Sequence, residues 1–133
     1  LIRGDAAPQP EELRKTMAGR LSTHVLDTSR GQPAAGMRFT LYRIENGARE
    51  RVAEGATTAD GRAPAPLLQG EGYRPGRYEL VYHVADYFRA LGVALADPPF
   101  LDEVTLAFGL GQDGHYHVPL LVSPFGYTTY RGS

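Results

Sequence analysis

From Leu21 onward, apolar and polar positions alternate in short runs broken by turn dipeptides, which is the period-two signature of half-buried strands. Met37–Ile44 is the clearest, with Met37, Phe39 and Leu41 set against Arg38, Thr40 and Tyr42. Leu21–Thr28, Arg49–Thr57, Arg77–Val84 and Glu103–Phe108 read as further strands. Arg62–Leu67 reads as a short edge piece broken by proline. Asn46-Gly47 is the dipeptide that a type I′ hairpin turn prefers, and Asp60-Gly61 marks a second turn. Asp86–Leu91 predicts one short helix, with Asp86 as N-cap and Gly92 as C-cap. The closing stretch, His115–Ser133, holds the apolar run Val118–Val122, a Ser-Pro-Phe-Gly turn and a Tyr/Thr-rich second run. This succession of strands and turns with one helix predicts an all-β fold, an antiparallel β-sandwich.

Residues 1–20 lack this pattern. Leu1–Pro10 mixes proline, alanine, glycine and charge, and Glu11–Met17 would make only a helix with a thin apolar face. We therefore expect a tail or linker over 1–20 and a single domain over 21–133. The chain opens on Leu rather than Met, which reads as a processed, trimmed or excised piece.

Charge narrows the partners. The formal net charge is −1, which supplies no domain-wide positive field for nucleic acid or acidic lipid. Cysteine is absent, so disulfides, thiolate nucleophiles and cysteine–metal sites are excluded. No apolar run approaches the length of a membrane-spanning helix, and no hydrophobic signal core stands at the N-terminus. The expected compartment is the cytoplasm, with the periplasm as the alternative.

Four histidines and one arginine carry the candidate chemistry. His24 lies in LSTHVLDT, a run whose two faces are both mixed, so its direction is not set by pattern. An isolated strand histidine is usually just exposed or hydrogen-bonded. In HYHVP, His115 and His117 share a face with Pro119 and Leu121, while Tyr116, Val118, Leu120 and Val122 make the better core face. The two histidines should therefore point away from the core. His-x-His on a strand is a zinc-ligand spacing, with His24 as a third ligand and His83 as a weaker candidate, but nothing else in the pattern supports a metal. Arg62 follows the Asp60-Gly61 turn, where it is either solvated or a fork for a planar anionic or carbonyl-rich ligand. Pro119 lacks a ladder donor and so belongs on an edge or at a special, ligand-facing spot. A Ser-His-Asp set from Ser22 or Ser123 with His24 and Asp27 has no Gly-x-Ser-x-Gly elbow behind it. By themselves these residues do not name a reaction.

LSTHVLDTSRGQPAAGM, TTADGR and HYHVPLLVSPFGYTTYRGS together resemble the 5-hydroxyisourate hydrolases, transthyretin-like enzymes of purine breakdown. The resemblance covers about Arg20–Ser133, and the terminal Tyr-Arg-Gly-Ser is its most specific part. It implies a transthyretin-like sandwich of two four-stranded sheets. It also implies hydrolysis of 5-hydroxyisourate to 2-oxo-4-hydroxy-4-carboxy-5-ureidoimidazoline by water attack on a ring carbonyl, with no metal or organic cofactor. By motif, His24, Arg62, His117 and Ser133 would be catalytic, and Tyr130, Arg62 and His24 would bind substrate. Thr128 stands where a serine is usual. The expected partners are the small-molecule substrate and three further copies, in a homotetramer with active sites at the subunit interfaces. The competing reading is a transthyretin-like small-molecule binding protein without catalysis.

Overall fold

The computed structural model describes residues 19–112 and 114–132. The tail expected over 1–20 lies outside these residues except for Gly19 and Arg20, and so does Ser133.

Among the described residues, nine strands and one α-helix follow in order. They are β1 (Arg20–Asp27), β2 (Gln32–Pro33), β3 (Arg38–Glu45), β4 (Ala48–Ala56), β5 (Leu68–Gln69), β6 (Gly76–Tyr82), α1 (Val84–Ala90), β7 (Val104–Leu110), β8 (His115–Ser123) and β9 (Gly126–Thr129), with a 3-10 turn at Gly70–Gly72 after β5. One sheet runs β4-β3-β6-β7 and the other β2-β1-β8-β9, with the two-residue β5 also paired to β1. The expected two-sheet sandwich with one helix is what forms, and its second sheet counts five strands because β2 and β5 each add a two-residue piece. Every pairing is antiparallel except β1 with β8, which run parallel. That exception governs the site, because it sets Ser22 beside His117 and His24 beside Pro119.

Local chemistry explains most element ends. In β3, Phe39 and Leu41 are buried and Arg38 is exposed, as its alternation requires. Asn46 and Gly47 both take positive φ, 53° and 76°, which is the type I′ geometry that joins β3 to β4 without splaying them. Gly92, at φ 83°, ends the helix in the left-handed conformation that glycine adopts without strain.

Two expectations shift. The helix starts at Val84, with His83 at the N-cap position and making no side-chain cap bond, rather than at Asp86. β6 runs directly into it, so Asp86 falls in the first turn, where it favours the helix dipole and meets Arg38 at 2.9 Å. The edge piece at Arg62–Leu67 does not form. Pro64 and Pro66 remove ladder donors there, and pairing resumes only at Leu68–Gln69, against Arg20 and Leu21.

The mixed pattern of β1 is resolved by its partners. Leu21, Thr23, Val25 and Asp27 are buried, and Ser22, His24 and Leu26 are turned outward. Thr23 is tolerated in the core because its hydroxyl meets Tyr82 Oη at 2.6 Å and donates to the Val118 carbonyl at 2.7 Å. Asp27 accepts from the Tyr87 hydroxyl at 2.9 Å and from the backbone and side chain of Ser29, which pins the helix to the end of β1. Burial, then the adjacent Asp27, push the Tyr87 hydroxyl up to about 12, so it stays a donor. Tyr87→Phe removes that donor from a buried carboxylate and is expected to cost about 2 kcal/mol of stability in a urea melt.

Candidate active site

The outward face of β1 and β8 forms the floor of a polar cleft of about 420 Å³, lined by Arg20, Ser22, Arg62, His115, Tyr116 and His117. His24 borders it. Its ring centroid lies 6.5 Å from that of His117, with the rings tilted by 44°. As the alternation of β8 predicts, His115 and His117 face away from the core, with Val118, Leu120 and Val122 buried on the other side.

Each side chain is held by a different element. His117 sits on β8, half-buried, with its Nδ1 2.8 Å from Ser22 Oγ on the neighbouring strand. His24 Nε2 lies 2.7 Å from the Asp60 carbonyl oxygen. A carbonyl only accepts, so His24 carries its proton on Nε2 and, when neutral, presents Nδ1 as its lone pair. Arg62 is brought in by the turn that follows Asp60, which docks on β1 through an isolated bridge to His24 and through Val25 N–H donating to the Gly61 carbonyl at 2.8 Å. Gly61 takes φ +82°, and a Cβ there would stand 2.4 Å from the Val25 oxygen, so only glycine lets the turn lie this close.

Asp60 ties the group together. Its backbone oxygen accepts from His24, and its carboxylate accepts from the Thr58 hydroxyl at 2.6 Å and the Arg62 N–H at 3.1 Å. Its second carboxylate oxygen is 3.7 Å from Arg62 Nε. The Thr58 and Arg62 hydrogen bonds hold the Asp60 carboxyl below its ordinary range. His117 is also held down, below the ordinary imidazole value of 6.5. Burial is the largest cause, followed by the positive charge of Arg62 and by His24. The result is a neutral imidazole with Nδ1 on a hydroxyl, beside a guanidinium that is still more than half exposed.

The C-terminal segment closes on the same ring. Gly132 N–H donates to the His117 carbonyl at 2.7 Å, and a Cβ at Gly132 would stand 2.9 Å from His117 Cδ2. Arg131 lies over Tyr116, with its guanidinium carbon 4.1 Å from the ring centroid. Pro119 accounts for the path of the tail. β8 is an interior strand, and its ladder with β9 stops at Leu120–Thr129 before resuming as the single bridge His117–Gly132. The missing rung is the one that would use the absent N–H of Pro119, whose carbonyl instead accepts from the Thr129 hydroxyl at 2.8 Å.

The structure thus brings His24, Arg62 and His117 together and sets the other candidates differently. His115 lines the cleft but is exposed. His83 stands at the N-cap position of the helix, 3.4 Å from Glu103. Among the described residues, no three His, Cys, Asp or Glu side chains gather in a way that could hold a metal ion. The Ser22–His24–Asp27 set does not assemble either, because Asp27 is buried on the opposite face of β1. Tyr130 lines a second, apolar cleft at the open edge between β7 and β9, with Leu106, Phe108 and Tyr127. Ser22 as the partner of His117, Asp60 as the tie and Gly132 as the packing surface were missed by sequence reasoning. Of these, only Asp60 left a local signal, the turn chemistry of Thr-Ala-Asp-Gly.

A two-sheet β-sandwich with a histidine–arginine cleft on the outer face of one sheet is the architecture of a transthyretin-like protein. The comparisons place it more closely. The HIUase/Transthyretin family model matches residues 21–132, and the chain belongs to that family. It is 56% identical over 117 residues to 5-hydroxyisourate hydrolase 2 of Rhizobium meliloti, covering 87% of this chain and 98% of that one. Among solved structures it is similar to 5-hydroxyisourate hydrolase of Klebsiella pneumoniae, with TM-score 0.72 and 36% identity over 86% of this chain and 99% of that one. It is also similar to (S)-allantoin synthase, with TM-score 0.82 and 43% identity over 90% of this chain, although it spans only 46% of that longer protein.

Proposed function

We propose that this protein hydrolyses 5-hydroxyisourate, the activity named for its relatives, and that the product is 2-oxo-4-hydroxy-4-carboxy-5-ureidoimidazoline. The observation that carries the reading is the convergence of His24, Arg62 and His117 on one polar cleft, with His117 kept neutral. A neutral imidazole is the group that can take a proton from water near pH 7. In this reading His117 is the general base. Its Nε2 removes a proton from a water whose oxygen bonds to the ring carbonyl carbon. The carbonyl electrons move onto oxygen, and Arg62 stabilises that developing negative charge. The intermediate then collapses by breaking the ring C–N bond, and the proton held on His117 passes to the departing nitrogen, so no co-reactant is consumed. His24, with Nε2–H fixed on Asp60, offers Nδ1 as an acceptor that orients the water or the substrate. Tyr130 and Ser133 are assigned to substrate binding.

We further propose a homotetramer in which the sites lie at subunit interfaces and Tyr130 reaches substrate only in the assembly. Its support is the set of exposed aromatics Phe100, Phe125, Tyr127 and Tyr130, the last two beside the open edge strands β7 and β9. A monomer mass in sedimentation at micromolar concentration would remove that part. A carrier without catalysis has no use for a neutral histidine whose Nδ1 is held by a hydroxyl and whose Nε2 is left to the cleft.

The decisive assay generates 5-hydroxyisourate from urate with urate oxidase and follows the loss of its absorbance. The purified protein is expected to accelerate that loss equally before and after exhaustive chelation. Decay at the spontaneous rate would overturn the hydrolase reading, and loss of activity on chelation would overturn its metal-free chemistry.

A further inference from the structure

We infer that Ser22 is a positioning residue for His117, its hydroxyl deciding which ring nitrogen faces the substrate; this rests on the hydrolase reading above. Four observations meet on it. Ser22 Oγ lies 2.8 Å from His117 Nδ1. The parallel register of β1 and β8 pairs the two residues directly. Ser22 is held outward because Leu21 and Thr23, on either side of it, are both buried. On its other side the ring is packed against the Gly132 backbone, where even a Cβ would be too close. His117 is therefore bracketed, with Nδ1 committed to a hydroxyl.

The chemistry explains why a hydroxyl suits that place. To take a proton at Nε2, a neutral imidazole must carry its hydrogen on Nδ1, and that hydrogen needs an acceptor. A serine oxygen has two lone pairs and supplies one. After proton uptake the imidazolium still donates from Nδ1 to the same oxygen, now through a charge-assisted and stronger bond. The contact therefore favours the protonated ring and opposes the influences that depress it. Those are burial and the facing groups Arg62 and His24, in a cleft also lined by Arg20 and His115. Arg131, from the tail, is engaged with Tyr116. An apolar side chain at position 22 would leave Nδ1 without a partner and the ring free to turn Nε2 away from the substrate.

The test compares wild type, Ser22→Ala and Ser22→Thr by two readouts: kcat and KM across pH, and the titration of the His117 ring by NMR with labelled histidine. Ser22→Ala is expected to lower kcat by about tenfold to a hundredfold, less than the loss from removing a general base, with KM within about twofold. The His117 titration should move to lower pH, and the acid limb of kcat should move with it. Ser22→Thr keeps the hydroxyl and should restore both the rate and the titration. Unchanged kcat with an unmoved titration in Ser22→Ala overturns the inference. So does a loss that threonine does not repair while the titration stays put, since that is damage to packing alone. A fall as deep as that of His117→Ala overturns it in favour of Ser22 as nucleophile. Failure of the hydrolase reading is distinguishable, because wild type would then be inactive while the NMR titration of Ser22→Ala still reports on the contact.

Discussion

His117→Ala is expected to lower kcat/KM by about a thousandfold, on the order of 4 kcal/mol of transition-state stabilisation, in a protein that stays folded. The ring makes few contacts that the core depends on. It lies on the outward face of β8, and the buried residues Val118, Leu120 and Val122 beside it are untouched. The loss should appear in kcat more than in KM, because proton transfer occurs only in the transition state. A near-normal rate would remove His117 as base and leave His24 as the alternative.

The pH profile sharpens the same prediction. Burial, Arg62 and His24 all lower His117, so the neutral form persists below the ordinary imidazole value of 6.5. Activity should therefore hold through neutral pH and fall only as the pH drops through that lowered value, where His117 takes a proton before it meets substrate. Arg62→Gln removes the neighbouring positive charge, so the acid limb should move up toward 6.5 while the plateau falls with the loss of oxyanion stabilisation. A limb that does not move in Arg62→Gln would mean that another group titrates in the profile.

Deleting Tyr130–Ser133 is expected to be the second large effect, with activity falling by about a hundredfold or more while the sandwich survives. The deletion takes away the Gly132 N–H that binds the His117 carbonyl, the backbone that packs against its ring, and the Arg131 guanidinium stacked on Tyr116. None of these belongs to the core, so the thermal midpoint should shift by only a few degrees. Gly132→Val isolates the packing part. Its side chain would have to displace the His117 ring, and it should lose most of the activity with the tail still attached. If that variant keeps wild-type kcat, contact with the tail does not position the ring.

Much of this was legible in local pattern. The alternation in β3 and β8 read the direction of most side chains, because that direction reverses at every residue whatever the strand pairs with, although Pro119, placed on the outward face of β8, is buried and Tyr116, placed on the core face, is only half-buried. Asn46-Gly47 and Gly92 announced a hairpin and a helix end, because positive φ is a property of the residue itself. Other features were misread for equally local reasons. Asp86 is a good cap in isolation, but β6 delivers the chain to the helix two residues before it. Arg62 looked like the start of an edge strand, and is instead a turn residue docked on His24.

By itself, then, the sequence determined the sandwich class and the outward direction of the two histidines in His-Tyr-His, and its resemblance to a family pointed to the trio His24, Arg62 and His117. Only the tertiary structure decided what holds that trio. The parallel pairing of β1 with β8 brings together Ser22 and His117, which are 95 positions apart in the chain. The turn at Asp60 meets His24 across 36 positions. Periodicity reports which way a side chain points and is silent on which strand lies next to it. Register is set by the burial of a whole face against distant partners, and it is register that gives His117 Nδ1 its neighbour.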